Sequence, residues 1–469
     1  MSNTQPASSK RVLGVFTLTM INVAAIHSLR NLPMMALAGW ASLFFYAVAG
    51  FTFFIPCALV SAELATGWRT TGGIYTWVKE AFGARLGFVA IWLQWMENVI
   101  WYPTILSFTA ATIAYAFRPD LAQNKYYLIT MILVIYWLCT LIDAMGMKVA
   151  GRLSSIGVII GTIIPGVFII LLGGLWVASE HPVQIPFSWE DLSPDLSSPR
   201  TLVFFVGVLF ALGGMEMSAV HAREVENPQN NYPRAIFLSL GIISISYMLG
   251  SLAIAAVVPQ EELSLVAGIM QTFSEFLEMW NMPWLTPVIA VAIAAGSIAS
   301  ISTWIVGPSR GLFYATYEGH LPPIFQHTNT SGMPTALLLI QGIVVSLLSL
   351  AFLLMPTVSS SYWILTNLAA LGYLIMYLFM FGAAIRLRYT HPEVKRSYRV
   401  PGGDVWGMWV VAGTGLISCL FAFVIGFFPP TLVEAQSLFY YDLFLVVAIS
   451  TLLIIPLVID ACRKEHWKP

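Results

Sequence analysis

Twelve apolar runs, each close to or above the roughly 20 residues that a helical bilayer crossing needs, leave this chain few ways to fold. They lie at residues 12–37, 40–65, 85–117, 126–146, 153–178, 200–221, 234–258, 284–315, 334–356, 360–386, 406–428 and 438–461. The 469 residues are 58% hydrophobic and 10% charged, against about a quarter charged in an ordinary soluble chain, so a soluble globule is excluded. A net charge of −1 with no basic cluster argues against a nucleic-acid partner, because phosphate binding needs grouped Lys and Arg. The first run has no small-residue cleavage site behind it and reads as a retained helix. Cys57, Cys139, Cys419 and Cys462 show no metal-ligand spacing and read as packing thiols.

Orientation follows from the basic residues. An even number of crossings puts both termini on one side, and Lys and Arg of short loops stay cytoplasmic. With the N-terminus inside, 18 of the 22 basic residues are cytoplasmic, Arg118, Lys125 and Arg200 lie outside, and Arg30 lies in the membrane. The acids Glu180, Glu190, Asp191, Asp195, Glu261, Glu262, Glu275, Glu278 and Glu434 fall outside. No loop is long enough for a soluble domain, and the longest, near 179–199, is rich in Pro, Ser and acid.

Arg30, Glu97 and Glu216 are the charges that sit well inside these runs. An ionisable group at such depth costs at least a few kcal/mol, so it faces a cavity, a partner or a ligand. In the first run, Asn22-Val23-Ala24-Ala25-Ile26-His27-Ser28 precedes the charged turn Leu29-Arg30-Asn31-Leu32-Pro33. In the sixth, Phe210-Ala211-Leu212-Gly213-Gly214-Met215-Glu216 has the same character. Paired glycines weaken a helix by about 1 kcal/mol each, and backbone freed there can bind a ligand where it lines a cavity. Gly213-Gly214 alone would suit a packing notch between helices; the adjacent Glu216 and the matching first helix favour a site. Two such helices, five apart, are the trace expected of an inverted repeat, and the combination reads as a transporter.

Further marks run the length of the chain: Glu63-Leu64-Ala65, Gly72-Gly73-Ile74-Tyr75, Gly213-Gly214-Met215-Glu216, Glu226-Asn227-Pro228, Tyr232-Pro233, Gly307-Pro308-Ser309-Arg310, Leu321-Pro322-Pro323 and Pro401-Gly402-Gly403. In this order, on this topology, the chain resembles the amino acid/polyamine/organocation (APC) transporter superfamily, and within it the glutamate/GABA antiporter family. The resemblance implies an all-α integral membrane protein of 12 transmembrane helices, with a five-plus-five inverted-repeat (LeuT-like) core, discontinuous helices 1 and 6, and two extra C-terminal helices. The expected organisation is a cytoplasmic N-terminus (1–11), a transport core (12–386, with repeats 12–178 and 200–386), helices 11 and 12 (406–461) and a short cytoplasmic tail (462–469). It also implies alternating access in the inner cell membrane, without a cofactor, exchanging one amino acid for another or for its decarboxylation product. In that layout the half-helix beyond the helix 1 break offers N–H groups and a positive dipole end to an α-carboxylate, and freed carbonyls accept from the α-amino group.

The expected substrate-binding set is Ala25, Ile26, His27, Ser28, Arg30, Glu97, Phe210, Gly213, Gly214, Tyr373 and Tyr377, with Glu216 and Glu97 as proton or gating groups. The Arg30 guanidinium could fork onto a substrate carboxylate or pair with Glu97, and such a pair can open when a zwitterion arrives. Glu216 stands where relatives hold an acid beside the broken helix 6; its structural alternative is to cap freed amides. Phe210 matches a bulky aromatic kept over the substrate, and alternatively is packing. Tyr373 and Tyr377, four apart on one helical face, match tyrosines of the glutamate/GABA antiporters. Ser297, Ser300 and Ser302 could face the site or only permit close helix contact, and His27 could accept a proton or bond locally.

Two departures bear on specificity. The family's acid-resistance antiporters read Tyr-Glu-Tyr-Pro where this chain has Arg30-Asn31-Leu32-Pro33, and they carry a C-terminal plug where only Cys462–Pro469 follows the last run here. Activity at neutral pH is therefore expected. A helix 5 lysine used as a cation surrogate by some relatives is absent between Ser154 and Leu172, which tilts toward exchange. The rival readings are a proton-coupled amino acid symporter and a membrane sensor that binds amino acids without moving them. An enzyme is not expected, since no loop groups a nucleophile, base, phosphate cradle or metal ligands.

Overall fold

The computed structural model describes residues 13–68, 72–144, 157, 159–218, 225–403, 405–430 and 438–468. The expected cytoplasmic segment 1–11, and Arg69, Lys148, Arg152, Arg223 and Glu434 of the charge balance, lie outside the described residues. Helices account for the described fold: α1 (Val15–Ile26), α2 (Leu32–Ala36), α3 (Gly39–Gly67), α4 (Ile74–Phe82), α5 (Ala84–Ala114), α6 (Lys125–Ala144), α7 (Ile159–Ala178), α8 (Phe204–Ala211), α9 (Met215–Ser218), α10 (Pro228–Val257), α11 (Gly268–Met279), α12 (Leu285–Tyr317), α13 (Thr335–Leu354), α14 (Val358–Thr390), α15 (Trp406–Ile425) and α16 (Leu438–Ala461). Among the described residues ten helices are long and apolar enough to cross a membrane. Of the other expected crossings, the first is divided between α1 and α2, and the third is α5, whose 31 residues span roughly 46 Å at 1.5 Å per residue.

Local chemistry sets the irregularities. π-helical turns at Gly50–Phe54 and Ile159–Ile163 each immediately precede a helix with proline in its first turn, Pro56 and Pro165. Proline has no N–H to give to the preceding turn, and a widened turn accommodates the missing bond. Pro228 opens α10 after Asn227 in the left-handed conformation (φ 44°), and Thr357 Oγ1 caps α14 by accepting from Ser360 N at 3.0 Å.

α5 is the central post, packed along α14, α12, α4 and α6. Among the ten apolar spans α14 is the most enclosed, 78% of its apolar window buried, whereas α16 buries 22% and lies at the periphery. α7 and α12 meet backbone to backbone, since a Cβ on Gly161 would lie 2.4 Å from Ala292 O.

One end of the bundle is tied by ion pairs. Glu63, 1% exposed in α3, accepts from Arg388 Nε and Nη2 of α14, each at 2.6 Å, and from Val400 N at 2.7 Å; Arg396 Nε lies 3.2 Å away. Arg388 Nη1 also donates to Gly403 O. The sequence marks Glu63-Leu64-Ala65 and Pro401-Gly402-Gly403 thus belong to one structure, in which a bidentate, backbone-supported carboxylate folds the link before α15 onto the bundle. Beside α4, His320 stacks on Phe88 (4.8 Å between centroids), with Nε2 3.0 Å from Tyr75 Oη and Nδ1 2.9 Å from Asp460 Oδ1.

Burial holds the His320 imidazole below its ordinary range, outweighing the Asp460 hydrogen bond. A base with a lowered folded-state pKa is stabilising above its unfolded pKa of about 6.5, and that contribution is lost as pH falls toward the folded value. Thermal unfolding in detergent is therefore expected to shift to lower temperature between about pH 6.5 and pH 5, and His320→Asn is expected to lessen that shift; an equal shift in the variant contradicts this assignment.

Candidate functional site

Both expected interruptions are present. α1 ends at His27 (ψ 121°), Ser28 is extended, and Leu29–Asn31 forms a single 3-10 turn before α2. α8 ends at Ala211, and Gly214 adopts φ 109° before α9. A Cβ at that φ is strained, which is why glycine occupies the turn.

The backbone freed in the membrane is met by tyrosines. Tyr247 of α10, wholly buried, donates from Oη to Ile26 O at 3.0 Å and accepts from Ser28 N at 2.9 Å and Asn31 Nδ2 at 3.1 Å. His27 stacks on the same ring, and its Nε2 lies 2.7 Å from Ser246 Oγ. At the other break, Tyr377 Oη accepts from Gly214 N at 2.9 Å and donates to Glu216 Oε2 at 2.6 Å. Glu216 also accepts from Tyr373 Oη and, at 3.1 Å, from Gln94 Nε2.

The two breaks face a cavity of about 60 Å³. Of the expected residues, Ala25, Ile26, His27, Ser28, Arg30, Glu97, Phe210, Gly213 and Tyr373 line it. Gly214, Tyr377 and Glu216 stand behind it, Glu216 being hydrogen-bonded to the Tyr373 that forms part of the wall. Ala24, Asn31, Asn98, Trp101, Ala211, Ser300 and Trp304 complete the lining; Ser300 was a sequence candidate, whereas Trp101 and Trp304 were not among the expected site residues. The space holds water but is too small for an amino acid in this conformation.

Arg30 and Glu97 share the cavity without forming an ion pair. Arg30, 2% exposed, donates Nη1 to Thr104 Oγ1 at 2.7 Å, and its guanidinium carbon lies 5.6–5.8 Å from the ring centroids of Trp101, Phe210 and Tyr362. Its Nε has no hydrogen-bond partner. Glu97 Oε2 accepts from Asn98 Nδ2 at 2.7 Å. A cation held by aromatic faces with a donor unspent, opposite a carboxylate served by one amide, matches the two ends of a zwitterion. The described residues contain no group of three or more His, Cys, Asp or Glu placed to hold a metal ion.

A multi-pass helical membrane protein with two interrupted helices around a small, charged cavity has the architecture of a transporter. The chain belongs to the amino acid permease family, which matches it over residues 13–449. It is 46% identical to an uncharacterized transporter of Legionella pneumophila, covering 96% of both chains. It is 35% identical to the glutamate/gamma-aminobutyrate antiporter of Lactococcus lactis subsp. lactis, over 96% of this chain and 89% of the other. A probable agmatine/putrescine antiporter of the same organism is 25% identical over 85% of this chain and 84% of its own. The resemblance read from the motifs is thereby supported along nearly the whole length, and amino acid transport is the activity of the family.

Tyr247→Phe removes one hydroxyl and leaves Ile26 O and Ser28 N unserved in a buried site. Leaving such groups unsatisfied costs about 1–3 kcal/mol. The variant is expected to unfold at clearly lower temperature than wild type in detergent, while Tyr440→Phe, an exposed position, is expected to leave the midpoint unchanged.

Proposed function

We propose that this protein is an amino acid antiporter of the glutamate/GABA antiporter type, exchanging one amino acid for another or for its decarboxylation product by alternating access. The observation that carries this reading is the Arg30 guanidinium, unpaired with Glu97 and facing the cavity between the two breaks. A cationic side chain there would meet like charge in a poorly screened site, so anionic and neutral substrates are favoured. Arg30 holds a carboxylate, Glu97 faces the ammonium, the helix 1 and 6 breaks contact the backbone atoms of the substrate, and Phe210 and Tyr373 close over it. Glu216 acts through Tyr373 and Tyr377, coupling occupancy of the cavity to the geometry of the helix 6 break. The 35% identity to a glutamate/gamma-aminobutyrate antiporter supports the same assignment.

The proposal includes twelve crossings, two inverted repeats (12–178 and 200–386) followed by two further helices, and both termini on the cytoplasmic side of the cell membrane, the side to which the basic residues point. A cavity this small fits a step of alternating access in which the site is contracted. Substrate entry then requires Arg30 to leave Thr104 and the aromatic walls to separate.

Counterflow in proteoliposomes tests the mode. Labelled glutamate or glutamine is expected to enter only vesicles preloaded with an unlabelled amino acid or its amine. Entry into empty vesicles driven by an imposed proton gradient would instead establish a proton symporter, the reading favoured if Glu97, which lacks a cationic partner, carries a proton with the substrate.

A further inference from the structure

Asp143 lies one residue before the end of α6, wholly buried (0% exposed); neither carboxyl oxygen makes a full hydrogen bond, and the Ser302 hydroxyl of α12 is the one side-chain donor that approaches it among the described residues. Among the described residues it forms no ion pair. A carboxylate left in that condition costs several kcal/mol, so such a group is accompanied by a cation or carries a proton.

Among the described residues its surroundings supply no cation. Tyr136 and Cys139 of its own helix and Tyr102 of α5 are the titratable groups within electrostatic reach. α12 presents Ser302; its next basic residue, Arg310, is about two turns further on and directs Nη2 to Met333 Sδ at 3.9 Å. α13, also packed on α6, has no ionisable side chain. Tyr102 is itself wholly buried with an unpartnered hydroxyl and stands ring to ring with Tyr136 at 5.3 Å. Glu97 and the adjacent Trp101 line the substrate cavity. Tyr102 and Asp143 thus bring two buried, little-served polar groups to the contact between α5 and α6.

We propose that Asp143 is a proton-binding site, occupied while α6 and α12 are packed together as they are here and emptied when they separate enough to admit water. The proton passes between a water molecule and one Oδ atom, and no bond between heavy atoms changes. Closure around substrate is thereby linked to pH at a site apart from Glu216 and from the substrate cavity.

Infrared difference spectroscopy of the purified protein, with carboxyl-labelled ¹³C-aspartate, reads this directly and needs no transport. A protonated acid has a carbonyl band that a carboxylate lacks; the label separates aspartate from Glu63, Glu97 and Glu216, and Asp143 is the only buried aspartate among the described residues. The expected result is a label-sensitive acid band at about pH 6 that disappears on alkalinisation and is missing from Asp143→Asn. Absence of the band in the wild type at every pH overturns the proposal, as does a band that persists in the variant or one that sodium abolishes at constant pH. Should Asp143→Asn fail to fold, the labelled wild-type spectrum still decides. A second arm rests on the transport reading: exchange by wild type falls with rising pH, by up to about tenfold per unit above the site's pKa, and folded Asp143→Asn shows a flat profile. A flat wild-type profile with the band present would count against the coupling and leave the proton site standing, whereas no exchange by either protein would count against the transport reading alone.

Discussion

A helix interrupted inside a membrane must find partners for the backbone groups it releases, and the rest of this structure is arranged around that requirement. Two tyrosines from different helices meet it in parallel ways. Tyr247 of α10 bridges Ile26, Ser28 and Asn31 at the first interruption; Tyr377 of α14 bridges Gly214 and Glu216 at the second. Each hydroxyl both accepts and donates, so one side chain repairs the break from both sides. The cavity lies between the repaired breaks, and any motion that opens it acts on these hydrogen bonds.

The buried charges divide by how they are satisfied. Glu63 is saturated by Arg388, Arg396 and a backbone N–H, and its work is to fix the link after α14 against α3. Glu216 receives two hydroxyls and an amide and anchors the second break. Arg30 and Glu97 retain unspent capacity and sit at the cavity wall. Buried groups kept short of partners are expensive, and the shortage here coincides with the place where a zwitterion would complete the set.

Much of this was legible in the sequence. The apolar runs marked the crossings, and the charged turn at Leu29–Pro33 and the paired glycines before Glu216 marked the breaks, because charge and glycine inside hydrocarbon have few other uses. Gly213, Arg30, Glu97, Phe210 and Tyr373 meet at one cavity as the motifs suggested, while Gly214, Tyr377 and Glu216 form the layer behind. Tyr247 was not foreseen, since a tyrosine in an apolar run looks like packing until the backbone it serves is known. Glu63 and Asp143 were overlooked as buried charges because each lies within three residues of the end of an expected crossing, where a carboxylate ordinarily reaches water. The partnership of Arg30 was undecidable from spacing, because the Leu29–Asn31 turn and α5 are joined only in three dimensions.

The most direct measurement is equilibrium binding of labelled glutamate to purified protein, comparing wild type with Arg30→Gln at matched thermal stability. If Arg30 holds the substrate carboxylate, the variant loses binding by about 1.5–3 kcal/mol, the worth of a hydrogen bond to a charged group, which is roughly tenfold or more in affinity. Undiminished glutamate binding by a stable Arg30→Gln protein would contradict the assignment of this cavity as the substrate site.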